Sequence, residues 1–110
     1  MVEVVVRRDS RNRLSSFFAS GHAGWEDLNK DVVCAAVATI LQSAWLGLEE
    51  VARVDVQGSK ISGRLDLCWP ETARDDAAVR AIVETAARSV ERIAQQYPAN
   101  VRVIVARDDG

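Results

Sequence analysis

The chain has 110 residues, of which 48% are hydrophobic and 27% charged, and its formal net charge is −2 at pH 7. That length predicts one domain, residues 1–110, able to build a core without a disulfide or metal staple. The interspersed charges exclude a basic nucleic-acid surface and extended disorder, so no direct nucleic-acid partner is expected.

The N-terminus, MVEVVVRRDS, lacks the layout of a secretory leader, and no uninterrupted apolar run approaches the roughly 18 residues of a membrane span. A cytoplasmic protein with no membrane partner is therefore expected. There Cys34 and Cys68 would be reduced thiols. One histidine and two cysteines fall short of a structural zinc set, so no metal is expected.

The β-branched run over 2–6 predicts a strand, 8–12 a turn and 13–20 a second strand completing a hairpin. Residues 21–30, GHAGWEDLNK, read as a loop. From Asp31 the apolar period becomes helical: Val33, Val37, Ile40, Leu41, Ala44, Leu48 and Val51 share a face, with Asn29 or Asp31 as the cap. Gly47 interrupts that pattern at about 1 kcal/mol relative to Ala, which predicts a kink, a close packing contact or a frayed end. Then RVDVQ (53–57), GSK (58–60) and ISGRLDLCW (61–69) read as strand, turn and strand, ended by Pro70. Residues 75–97 predict a second amphipathic helix, stopped by Pro98, and NVRVIVARDDG a last strand. The order β-β-α-β-β-α-β predicts an α+β fold, a two-layer α/β sandwich whose mixed sheet carries both helices on one face.

Candidate chemistry centres on His22 and Cys34. A helix starting at Asn29 or Asp31 would put Cys34 in its first turn, where free backbone N–H groups and the dipole favour a thiolate. The dipole supplies about 0.3–1 kcal/mol, less than one pKa unit at about 1.36 kcal/mol each, so an imidazole must supply the rest. The N–H groups of Val33, Cys34 and Ala35 would be candidate oxyanion donors. Gly21 and Gly24 would free the histidine loop. Equally, a cysteine on an apolar helix face is a common small core residue, and a histidine between glycines is commonly just solvated. Residue types and spacing leave both readings open.

Of the remaining residues, Cys68 reads as a packed or edge thiol, and one of Phe17 and Phe18 faces the core. Trp25 needs an apolar partner, Trp45 reads as core or a dimer contact, and the arginine-rich run from Arg7 to Arg13 reads as a solvated turn.

The paired strings SGHAG (20–24) and DVVCAAV (31–37) together resemble the ribosomal-processing cysteine protease family, Prp. The resemblance covers the whole domain in layout and residues 20–37 in detail. It implies a cofactor-free cytoplasmic cysteine endopeptidase, usually a homodimer. Its partner would be a large-subunit ribosomal protein precursor, trimmed of a short N-terminal extension after paired phenylalanines. His22 would be the base and Cys34 the nucleophile. Gly21, Gly24 and Asp31 would support the loop and helix start, and 24–30 would cover the cleft. Two positions depart from the family pattern: Asn29 stands where glycine is frequent, and Ala38 where serine is frequent. They motivate the alternative of a non-catalytic ribosome-associated binding or assembly module on the same fold.

Overall fold

The computed structural model describes residues 1–21, 28–61 and 63–108, with backbone alone at 28–31. Strands β1 (Val2–Arg8) and β2 (Leu14–Ser20) precede helix α1 (Leu28–Leu46), which continues into a π-helical turn, Gly47–Val51. Then come β3 (Gln57–Ile61), β4 (Arg64–Cys68), a 3-10 turn (Glu71–Ala73), α2 (Ala77–Gln96) and β5 (Val101–Arg107). The sheet order is β3-β4-β2-β1-β5; β1 and β5 are parallel and every other pair is antiparallel. The expected mixed sheet in an α+β fold is what forms.

Period-two alternation puts Val2, Val4, Val6, Phe17, Ala19, Leu65, Leu67 and Val101 on one buried sheet face. They share one core with Val33, Val37, Leu41, Ala44 and Leu48 of the first helical segment and with Val79, Val83, Ala86, Ala87 and Val90 of α2. Burying each large aliphatic side chain is worth about 1.5–3 kcal/mol, so these periodic faces decide the fold. Asp76 caps α2, accepting from the N–H groups of Ala78 (2.9 Å) and Val79 (3.1 Å). The opposite sheet face keeps Val5 and Phe18 only half-buried, so Phe17 is the core member of that pair.

Helix α1 is apolar around much of its circumference. The 20 residues Val32–Val51 have a mean hydropathy of 1.6, long and apolar enough by length and composition to cross a bilayer, although polar residues interrupt every shorter run. Here the stretch is one of the two core-packing helices, with Val33, Val37, Leu41, Ala44 and Leu48 in the core.

Four expectations are corrected. First, α1 begins at Leu28, so Asn29 and Asp31 lie within it and cannot be its cap. Second, the expected helical face ends before Val51, which is 71% exposed. The wider π-helical turn from Gly47 rotates the last residues away. Gly47 itself is a close packing contact, since a Cβ there would meet Ile82 of α2 at 3.3 Å. Third, residues 58–60 are not a turn but part of β3, and the reversal falls between the paired Ile61 and Arg64, with Gly63 at φ +81°. Gly58 sits in this strand because the Trp45 ring lies on it; a Cβ would come within 2.5 Å of that ring.

The fourth correction concerns the arginine-rich run. It is not a solvated turn but is organised around Asp9, which is only 7% exposed. The Asp9 carboxylate accepts from the N–H groups of Arg11 (2.9 Å) and Arg13 (3.0 Å), from Arg13 Nε (3.0 Å) and from Arg74 Nη1 (3.0 Å). Burial pushes its pKa up, but the Arg13 N–H, the Arg74 guanidinium, the Arg11 N–H and the Arg13 charge outweigh that and hold it down at about 2. A depressed carboxylate contributes stability above its ordinary value of 3.8 and loses it as pH falls toward about 2. Urea midpoints should therefore fall across that acid window in the native protein. Asp9→Asn should flatten the fall and lower the midpoint at neutral pH, because it removes the anion that Arg13 and Arg74 share.

Candidate active site

A cleft of about 420 Å³ opens between α1, the end of β2 and the β3–β4 hairpin. Helix α1 contributes Cys34, Ala35, Val37, Ala38 and Gln42; β2 contributes Ala19, Ser20 and the following Gly21; the hairpin contributes Lys60, Ile61, Gly63, Arg64 and Leu65; and Val2 completes the lining. The floor is apolar, as a site for peptide side chains would be. Cys34 is half-buried at this cleft, and Cys34 and Cys68 are both thiols. Cys68 ends β4 on the exposed sheet face and does not line the cleft.

Cys34 reaches the cleft by helical periodicity. Its neighbours Val33 and Val37 point into the core, so the thiol falls on the flank of α1 that faces the hairpin. Cys34, Ala38 and Gln42, spaced four residues apart, form one stripe along that flank. With α1 starting at Leu28, Cys34 lies in the second turn, not the first. Its N–H and those of Val33 and Ala35 are then used within the helix, so they are not the oxyanion donors expected from the sequence. Dipolar support for a thiolate is correspondingly weaker, since it falls off beyond the first turn.

Gly21 is fixed by geometry. Its φ is +137°, and a Cβ would lie 2.4 Å from the Met1 carbonyl oxygen and 2.9 Å from Val2 Cα. Its N–H donates to the Gly63 carbonyl oxygen at 3.2 Å, tying the end of β2 to the hairpin turn. The chain thus leaves the sheet at the mouth of the cleft one residue before His22. Gly21→Ala combines a side chain in a glycine-only backbone region with a backbone clash. It should lower unfolding free energy by about 1–3 kcal/mol, measurable by urea titration.

Gly21 and Cys34, each from one of the two sequence motifs, are brought to a single cleft. His22, Gly24, Trp25 and the expected cover over 24–30 lie outside the residues whose side chains are described. Asp31 is the fourth residue of α1, and its side chain is likewise outside that set. Among the described residues no group of three or more His, Cys, Asp or Glu side chains is arranged to hold a metal. The sequence reading missed Gln42, Lys60 and Arg64. Placing the turn at 58–60 removed Lys60 from the strand that carries it to the cleft, and no local signal marks the other two.

A thiol at an apolar cleft on the first helix of a two-layer α+β domain is a recognisable combination. The profile of the family described as cysteine protease Prp matches residues 1–102, and the chain belongs to that family. It is 27% identical over 111 residues to ribosomal processing cysteine protease Prp of Bacillus subtilis (strain 168), covering 94% of this chain and 96% of that protein. The crystal structure of SMU.848 from Streptococcus mutans superposes with a TM-score of 0.84 at 25% identity, covering 98% of this chain and 96% of that one. The ribosomal processing protease Prp of S. aureus, solved in complex with a covalently linked product peptide, superposes with a TM-score of 0.75 at 17% identity, covering 96% and 99%. The last comparison carries the fold alone.

Proposed function

We propose that this protein is a cysteine endopeptidase that trims a short N-terminal extension from a large-subunit ribosomal protein precursor, with Cys34 as nucleophile and His22 as base. The observation that carries the reading is the meeting of Gly21 and Cys34 at one apolar cleft, in a chain matched to the cysteine protease Prp family over residues 1–102. The His22 imidazole takes the Cys34 proton, and the thiolate attacks the scissile carbonyl carbon. The tetrahedral intermediate collapses as the leaving amine receives the proton from the imidazolium, leaving a thioester on Cys34. Water activated by the same imidazole then hydrolyses the thioester and releases the second product with its new carboxylate. No cofactor takes part.

The cytoplasm is the proposed site of action, where thiols stay reduced. Association of two copies also belongs to this reading. The outward side of α1 offers exposed apolar residues, Val32 at 68% and Leu46 at 55%.

The test is incubation with a peptide carrying a Phe-Phe extension site under reducing conditions, read by mass spectrometry. The expected result is a single cut after the phenylalanine pair. Ala38 lines the cleft and gives it no hydroxyl where the family often has serine. Peptide binding without cleavage by the folded protein would assign the non-catalytic binding module instead.

A further inference from the structure

We infer that the far end of the cleft selects an acidic side chain in the peptide substrate, three or four residues from the cut bond, through the ammonium group of Lys60. This rests on the peptidase reading and adds a specificity residue to it.

Two observations carry the inference. The first is distance. Gln42 stands eight positions beyond Cys34 on the same helical stripe, about 12 Å along the axis at about 1.5 Å per residue. Lys60 Nζ donates to Gln42 Oε1 at 3.4 Å, bringing the cation from β3 to that end of the cleft. An extended peptide rises about 3.3 Å per residue, so 12 Å spans three to four residues.

The second is charge. Arg64 lines the same cleft, and none of the described lining residues carries a carboxylate. The ion pairs among the described residues involve neither Lys60 nor Arg64. The partner that Lys60 does have, the Gln42 amide, is neutral and leaves the positive charge uncompensated. Arg64 pairs with Ser20 beside Gly21, at the near end, so Lys60 is the cation at the Gln42 end. An apolar trough that ends in it complements a peptide that is apolar at the cut and acidic one short stretch away. Gln42 holds the Lys60 ammonium toward the helix, and an incoming carboxylate would displace that weak contact with a charge-assisted one.

The test uses a parent Phe-Phe peptide with uncharged flanks. Matched series place Asp or Lys at each successive position on either side of the cut. Affinity is read by fluorescence anisotropy on Cys34→Ala, and turnover separately on the intact enzyme. At one position three or four residues from the cut, Asp should bind at least tenfold more tightly than Lys at low salt. Lys60→Glu in the Cys34→Ala background should reverse that order, and added salt should shrink it. Equal affinity for Asp and Lys at every position, or a preference that persists in Lys60→Glu, overturns the inference. Absence of turnover on the intact enzyme with the binding preference present counts against the peptidase reading and leaves the acidic selection standing.

Discussion

Cys34→Ala should reduce cleavage of the Phe-Phe peptide by at least about 10³-fold while leaving peptide binding and the unfolding midpoint close to native. The magnitude follows from the role: removing the nucleophile removes the covalent route, and only binding and positioning persist. The structure supports selective loss because Cys34 is half-buried at the cleft wall, not deep in the core. Truncating it deletes one sulfur from a half-buried wall that borders the cleft, so the cavity cost is small beside the loss of activity. Cys68→Ala is the matching control. That thiol lies on the exposed sheet face away from the cleft, and turnover should be unchanged. Equal loss in both variants would point to a general thiol requirement, not to this site.

The largest effect on stability is expected at Trp69. It is 1% exposed, packs edge-to-face on Phe17 with centroids 5.2 Å apart and planes at 65°, and donates from Nε1 to the Leu14 carbonyl oxygen at 2.9 Å. Its own carbonyl accepts from Arg74 Nη2 at 3.2 Å, joining the core to the ion cluster at Asp9. Trp69→Ala should cost about 3–5 kcal/mol, a large share of the about 5–15 kcal/mol of a typical domain. Thermal melting should fall by more than about 10 °C. Trp69→Phe retains the ring contact and removes the donor, leaving the Leu14 carbonyl without its side-chain partner. The cost should then be about 1–3 kcal/mol. Trp69 follows β4, whose other end reaches the cleft, so turnover per folded molecule should stay near native below the melting transition.

Parts of this structure were legible in the sequence because one force dominated there. Helix α2 has a clean apolar face and a stop at Pro98, so periodicity sufficed to place it, although its start falls at Ala77 behind the Asp76 cap, not at residue 75. The inward face of the first helix was legible from Val33 to Leu48 for the same reason. Its start was not, because Asn29 and Asp31 are both good cap residues, and their local chemistry favours a start later than Leu28. Strand β3 was hidden because GSK carries turn residues. Gly58 is there to admit Trp45, a tertiary contact invisible to a local pattern. Asp9 was hidden among arginines that look solvated until Arg74, 65 positions away, closes over it. In the candidate site, Gly21 and Cys34 stood out in the motifs, whereas Lys60 and Gln42 meet only through the packing of the hairpin on α1.

The central claim is that Cys34 is a thiolate activated by His22, and the most direct measurement is the pH dependence of Cys34 alkylation. It is best made in a Cys68→Ala background so that one thiol reports, with and without His22→Ala. The account predicts an inflection well below the value of about 8.5 of an ordinary cysteine, moving up toward that value when His22 is replaced. An inflection at the ordinary value in both proteins, with the fold intact, would contradict it.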